Sequence, residues 1–413
     1  MKHGTVESKT IQTLQYLPAF MNITKSTVAD WLRINKAGGS AGKNIAERPH
    51  LAFKSTLRAA LWLGLLVFGA DKCMAQGCIA IRNNPGTPLM EGNFSNGIET
   101  GQWVSAVAYR WYKSDRHFTG DVEQPQRHTL GNYVENDVHS FDFSATYGID
   151  PRWSVTLDIP FISAARSSLY EHDLVNRHSM HSRGFGDVRI LSDYWLFDPK
   201  NSKNGNIAVG FGLKLPTGDD KASDLSYRAT GPVYRPVDPS IQPGDGGWGI
   251  VFQMQGYHKL ADNLFGYLSA SYMITPQEQS RTELTIADVP AFAAFIAPEI
   301  KHNTIADQYS ARAGLSYLVL PSQGLSLSFG GRIEGLPAHD LIGGSMGFRR
   351  PGYAVSAEPG ISWSSGKNSV GLSVPVAVYR NRVRSAPEQR LGRPGGDSAF
   401  ADYSILLNCT HAF

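Results

Sequence analysis

The feature that most constrains the fold is a strict alternation of apolar and polar residues in FDFSATYGIDPRWSVTLDIPF, residues 141–161. Apolar residues of one parity run from Phe141 to a Gly-Ile-Asp-Pro turn at 148–151, and the alternation resumes after it as far as Phe161. A period of two is typical of a β-strand with two unlike faces, and the short turn predicts a hairpin. The pattern alone leaves open whether the apolar face meets a protein core or lipid.

The connections between predicted strands indicate the kind of sheet. The same parity marks about twelve strands between residue 103 and Phe413, with connections that alternate in length. Short turns lie at 148–151, 198–204, 261–263, 321–324 and 364–368, and long loops lie at 114–135, 164–183, 217–246, 275–306, 337–351 and 382–398. Outer-membrane barrels have short periplasmic turns, long outer loops and an even number of strands.

We therefore predict an all-β fold, a closed antiparallel transmembrane β-barrel of about twelve strands with both termini in the periplasm. The expected location is the outer membrane of a Gram-negative bacterium. The alternative is a soluble sandwich or propeller whose apolar face is a buried core.

Charged residues on the polar parity predict which face meets lipid. A basic residue on the lipid face at the bilayer midplane costs about 2–4 kcal/mol, so the charges are expected to face the lumen. The predicted lumen-lining residues are Arg110, Asp142, Asp158, Asp187, Arg189, Asp193, Lys214, Lys259, Arg312, Arg332, Glu334, Glu358 and Asp402. Aromatic residues predict two interfacial girdles, Tyr147, Trp153, Tyr317, Trp363 and Phe413 on the periplasmic side, and Phe161, Trp248, Tyr353 and Tyr403 on the outer side.

A helical apolar stretch interrupts the strand pattern near the start of the chain. Lys54 and Arg58 precede an apolar run at 59–70, and Ala75 precedes Gln76. This pattern predicts a signal peptide cleaved after Ala75, because a spanning helix needs roughly 20 apolar residues; a buried core helix is the alternative. The predicted organisation is an upstream extension at 1–50 (a misplaced start or a long n-region), a signal peptide at 51–75, a periplasmic lead at 76–100 and the barrel at 101–413.

Charge and motif content argue against several functional classes. The formal net charge of +3 comes from 39 basic and 36 acidic residues without a basic block, so we predict no nucleic-acid partner. The polar stretch EHDLVNRHSMHS at 171–182 could bind a metal, or a histidine could activate Ser179. Its spacing matches no zinc site. We therefore expect solvated loop residues and predict no catalytic residue, metal or cofactor.

Two cysteines remain after removal of the predicted signal peptide. Cys78 and Cys409 are both expected at the periplasmic end of the barrel. Because the periplasm is oxidising, they could form a disulfide that ties the N-terminal lead to the last strand. Two unrelated thiols are the alternative.

The segments GFGDVRILSDYWLFDP and GNIAVGFGLKLPTGDD, within 184–220, contain Gly-rich GxGD and LPTG signatures. They resemble the outer-membrane β-barrel family named for the meta pathway of phenol degradation, and the resemblance extends over most of the mature chain. It implies a transporter-like barrel, with some members linked to uptake of aromatic or hydrophobic compounds. The terminal Phe413 also resembles the signal that the barrel-assembly machinery reads on a last strand.

These observations predict a channel. Twelve strands give a lumen between the filled eight-stranded type and the open sixteen-stranded porins. We predict passive uptake of small molecules, which the resemblance implies are hydrophobic or aromatic, with outer-membrane lipid, the assembly machinery and the permeant as partners. One alternative is a structural or adhesive barrel whose paired charges plug the lumen, and another is a surface lipid hydrolase.

Two long loops have unusual compositions. The loop at 275–306 contains the apolar stretch VPAFAAFIAP, which could plug the lumen, receive a greasy substrate or pack against other loops. The loop at 217–246 contains RPVDPSIQPGDGG and is expected to be ordered by turns.

Overall fold

The computed structural model describes residues 98–287 and 300–413, which belong to one compact unit, Lys72–Phe413. Its strands are β1 Trp103–Thr119, β2 Val122–Glu123, β3 Glu135–Gly148, β4 Trp153–Ser168, β5 His178–Phe185, β6 Arg189–Trp195, β7 Gly205–Lys214, β8 Ser223–Arg228, β9 Gly231–Pro236, β10 Gly249–Ala261, β11 Leu264–Ile274, β12 Gln279–Glu283, β13 His302–Thr304, β14 Gln308–Leu320, β15 Leu325–Leu336, β16 Gly352–Ser365, β17 Asn368–Ser373, β18 Val376–Asn381 and β19 Ser398–Ala412. Helices α1 Gln126–Thr129 and α2 Ala386–Arg390 lie in loops, and a 3-10 turn covers Pro321–Gln323.

The wall is a closed ring of antiparallel strands. Twelve wall strands follow one another as β1, β3, β4, β6, β7, β10, β11, β14, β15, β16, the pair β17 and β18, and β19. The ring closes because β19 pairs with β1, from Val104 opposite Ala412 to Phe118 opposite Ser398. In lipid, an open edge would leave backbone N–H and C=O groups without partners, so closure is required. The predicted barrel is confirmed.

The apolar rows of the wall face outward. Phe143 is 44% exposed and Phe211 is 50% exposed, whereas Asp142, next to Phe143 in the chain, is only 5% exposed. A soluble sandwich would bury such rows, and an apolar surface of this extent around a closed barrel fits only hydrocarbon. The protein is therefore an outer-membrane β-barrel of a Gram-negative bacterium, with lipid against the apolar face.

Tight turns close one end of the barrel. Asp262 and Asn263 join β10 to β11, and Asn263 has a positive φ of 62°, a conformation that Asn tolerates better than most residues. Gly324, between β14 and β15, has a φ of 69°, and a Cβ there would lie 1.9 Å from the Ser364 carbonyl oxygen. At this end Trp103 and Tyr147 pack with ring centroids 4.9 Å apart. The predicted periplasmic girdle residues are all exposed on the outer surface: Tyr147, Trp153, Tyr317, Trp363 and Phe413.

Six loops, L1 to L6, extend from the other end. They cover 120–134, 169–188, 215–248, 275–307, 337–351 and 382–397. They contain short elements that the sequence pattern did not predict: β2, β5, the β8–β9 hairpin and the β12–β13 pair. The wall strands are also longer than predicted at this end, since β1 continues to Thr119 and β4 to Ser168.

Several predictions lie outside the described residues. These are the upstream extension, the signal peptide, nearly all of the lead, the apolar stretch of L4 and Cys78. Cys409 lies on the exposed outward row of β19, and its disulfide with Cys78 stays a prediction. Within the described ranges, no helix has the length and apolar character needed to cross a membrane.

The lipid-facing rows generate a prediction about depth in the bilayer. Phe143→Arg places a charge near the middle of β3 and should weaken folding into the membrane by about 2–4 kcal/mol. Tyr147→Arg, on the same row at the girdle, should cost about 0–1 kcal/mol. Folding titrations in urea with phospholipid vesicles measure both. Equal costs at the two positions would contradict the placement of the membrane.

Candidate functional site

An ion-pair group from three neighbouring strands lines one side of the lumen. The Arg189 guanidinium on β6 donates from Nη2 to Asp142 Oδ1 at 2.7 Å and from Nε to Asp158 Oδ2 at 2.8 Å. Asp158 and Arg189 are also direct cross-strand partners. All three side chains are buried. Charges of opposite sign thus come together across the wall, with Arg189 of β6 bonded to carboxylates of β3 and β4.

A second ion-pair group crosses the lumen. Arg110 on β1 donates from Nη2 to Glu334 Oε1 on β15 at 2.5 Å. Because β1 is flanked in the wall by β3 and β19, this contact joins strands that are not neighbours. Arg332 donates to both oxygens of Glu358, at 2.8 and 2.9 Å, and Arg312 lies 3.6 Å from Glu358. We name the two groups together the ionic belt: Arg110, Asp142, Asp158, Arg189, Arg312, Arg332, Glu334 and Glu358.

The remaining predicted lumen residues have separate positions. Lys214 lies 3.3 Å from Asp187 and also contacts Asp245 of L3. Asp193 accepts hydrogen bonds from the Gln253 amide at 2.8 and 2.9 Å. Lys259 is partly exposed and bonds to Asp262 in a periplasmic turn. Asp402 is partly exposed at an irregularity in the β1–β19 ladder, 3.7 Å from Arg116. The partners of Lys259 and Asp402 in these two contacts do not belong to the ionic belt.

Part of L3, residues 237–245, enters the outer half of the lumen, and we call it the plug segment. Val237 and Ile241 are fully buried. They belong to an apolar cluster with inward-facing residues of the wall and β5: Tyr112, Val138, Ile162, Ala164, Met180 and Ala401. The Pro- and Gly-rich composition of this loop predicted only ordered turns. The missed signal was a pair of apolar residues, four positions apart, inside an otherwise polar, Pro-rich loop.

Polar contacts hold the plug segment at both ends. Near its start, Asp238 bonds to Arg350 of L5 and lies 3.5 Å from Arg166 of β4. Near its end, Asp245 bonds to Lys214 of β7. L3 also crosses itself closely, since a Cβ on Gly244 would lie 2.5 Å from the Gly218 carbonyl carbon. Only residues without a side chain allow this approach.

Two carboxylates outside the spanning strands have pKa values lowered by basic side chains. Burial raises the pKa of Asp238, but Arg166 and Arg350 outweigh burial and hold the pKa below its usual range. Burial likewise raises the pKa of Asp397 in L6, but hydrogen bonds from His117 and Arg127 lower it to about 2. Both donors bond to Asp397 Oδ2, at 2.9 Å from His117 Nδ1 and 2.7 Å from Arg127 Nε. Asp397 therefore ties L6 to α1 of L1.

Two cavities lie in the outer half of the lumen. The outer cavity, of about 210 Å³, is lined by His117, Tyr170, Leu284 and Ile286, among others. The inner cavity, of about 100 Å³, has Tyr112 among its lining residues. Because Tyr112 precedes His117 on β1, which runs outward, the smaller cavity lies deeper.

The polar stretch at 171–182 supports no metal site. His172 is buried and accepts from the Tyr227 amide at 3.1 Å, and the rings of His178 and Tyr227 stack with centroids 4.3 Å apart. His181 lies 3.3 Å from Asp224. Within residues 98–287 and 300–413, no group of three or more His, Cys, Asp or Glu residues is placed to hold a metal ion. These histidines are packed or paired loop residues, more ordered than the solvated loop predicted from the sequence.

No family model matches the chain, and no curated protein sequence matches it. It is similar to a solved outer membrane channel from Pseudomonas putida, with 12% identity and a TM-score of 0.49, over 80% of this chain and 100% of that one. It is also similar to a mutant of TodX, a monoaromatic hydrocarbon channel (8%, TM-score 0.40, 82% and 97%). A third similar structure is the β domain of the Bordetella autotransporter BrkA (11%, TM-score 0.40, 76% and 100%).

The ionic belt generates a stability prediction. Arg189→Met removes the partner of two buried carboxylates and should destabilise the barrel by about 3–5 kcal/mol. The triple variant with Asp142→Asn and Asp158→Asn should recover much of this loss. The temperature at which the folded band disappears in heat-modifiability gels measures both. Lys259→Met, at an exposed pair, is the matched control and should leave that temperature nearly unchanged.

The lowered pKa of Asp397 generates a prediction about pH. The pKa in the folded state, about 2, lies below the value of roughly 3.9 for an unfolded chain. The stabilisation from this contact is therefore complete above about pH 4 and is lost as the pH falls toward 2. Hydrogen exchange of L6, corrected for intrinsic rates, should stay slow at pH 4 and accelerate near pH 2. Asp397→Asn should show fast exchange even at pH 7, and slow exchange in that variant would refute the assignment.

Proposed function

We propose that the protein is an outer-membrane channel for passive uptake of small hydrophobic or aromatic molecules. The observation that carries the proposal is the pair of cavities inside a barrel of twelve wall strands. A barrel of this size has room for more than its inward side chains.

The lining of the outer cavity supports the proposed class of permeant. Leu284, Ile286 and Phe348 contribute apolar surface, and Tyr170 contributes an aromatic ring. The charged groups there, such as Arg127 and Asp397, bond to one another. A neutral molecule with an apolar body can therefore enter the outer cavity without separating the Arg127–Asp397 ion pair. The resemblance of 184–220 to the phenol-degradation barrel family supports the same class.

The ionic belt favours a second candidate, a structural or adhesive barrel. Its charges are paired, and the Arg110–Glu334 contact crosses the lumen. Paired charges of this kind stabilise a barrel without moving a permeant. The two candidates differ in one measurable property, which is whether anything passes through the folded protein.

The test combines electrical recording with uptake. Purified protein in planar bilayers should give discrete conductance steps. A porin-deficient Gram-negative strain that expresses the protein should take up labelled phenol and benzyl alcohol faster than the empty strain, with little gain for galactose. A folded protein that gives neither conductance nor uptake supports the structural barrel, and equal gains for all three solutes contradict the proposed permeant class.

Ester hydrolysis tests the remaining alternative, a surface lipid hydrolase. If the protein were a surface lipid hydrolase, it would release nitrophenol from nitrophenyl esters, and Ser179→Ala would abolish the release. We expect no release from the wild type, because Ser179 of β5 makes no side-chain hydrogen bond to a histidine among the described residues.

A further inference from the structure

A thin partition separates the two cavities in the outer half of the lumen. Among the described lining residues, only Phe348 and Arg350 of L5 face both cavities. The plug segment supplies the other side of the partition, since Asp238 lines the outer cavity and Ser240 lines the inner one. Among the described residues, L5 and the plug segment thus line the direct way from one cavity to the other.

One ion pair closes this partition. The Arg350 guanidinium donates from Nη2 to Asp238 Oδ1, and it also lies over the Phe348 ring at 5.3 Å from the centroid. The cation–π contact keeps the Arg350 guanidinium beside the Phe348 ring while the guanidinium bonds to the plug segment. Arg350 thus bridges the two sides of the partition.

The two arginines that contact Asp238 differ in their position in the fold and in their exposure. Arg166 lies on wall strand β4, with a side chain 4% exposed, and it also bonds to Glu171. Arg350 lies on L5, with a side chain 14% exposed. If Arg350 moves away, Asp238 keeps Arg166 at 3.5 Å and the carboxylate stays compensated. Removal of the last partner of a buried charge costs several kcal/mol, whereas this movement avoids that cost.

We propose that Arg350 and Phe348 form the gate of the channel, closed by the ion pair with Asp238 and opened when the Arg350 guanidinium leaves the plug segment. Opening joins the outer cavity to the inner one above the ionic belt. This gate rests on the proposed channel function, because a gate has no role in a barrel that conducts nothing.

Single-channel recording of Arg350→Gln tests the gate. The fraction of time spent open should rise roughly two- to fivefold, the change expected when a partly exposed arginine is lost and Arg166 still compensates the buried Asp238. Arg350→Lys keeps the positive charge and should stay closer to the wild type. Phe348→Ala removes the aromatic side of the partition and should also raise the open fraction. Arg384→Gln, at an exposed arginine of L6 that bonds to the Glu388 carbonyl, is the matched control and should have no effect.

A further variant separates failure of the gate from failure of the channel. It replaces residues 237–243 of the plug segment with a Gly-Ser linker, and heat-modifiable gel mobility verifies that each variant is folded. If this variant conducts more than the wild type but Arg350→Gln and Phe348→Ala do not, the gate is overturned and the channel stands. If the folded wild type, point variants and linker variant all fail to conduct, the proposed function fails with the gate.

Discussion

The structure depends on one constraint, that every backbone hydrogen-bonding group in the lipid layer must find a partner within the wall. A sheet meets this requirement only by closing, and here β19 meets β1 over most of its length. Closure then decides the rest of the arrangement. With lipid outside, the apolar parity must face outward, and the charges of the other parity are confined to a narrow interior where they bond to one another.

The sequence predicted the wall well because its signal is local. Each strand repeats the same two-residue alternation, and the alternation of short and long connections shows which strand ends share a side. The strand ends were predicted less well. Beyond the membrane the outward row no longer needs to be apolar, so polar residues such as Ser163 and Ser167 of β4 look like the start of a loop.

The interior was predicted only in part. Parity predicted that Arg189 and Asp158 share a face, and their direct cross-strand register brings them into contact. It could not predict that Arg110 meets Glu334, because that contact depends on the curvature of the whole ring. The plug segment was missed for a similar reason. Whether Val237 and Ile241 turn inward depends on apolar residues from several distant strands that no local pattern connects.

The seam between the first and last wall strands has a consequence for the order of events during biogenesis. The Phe413 amide donates to the Trp103 carbonyl at 2.8 Å. β1 therefore cannot complete its pairing until β19 has been synthesised. Until synthesis reaches that point, a partly built sheet would present two unpaired edges that can join those of other chains. The wall can therefore close only after β19 has been synthesised, and its edge strands need protection from other chains until then.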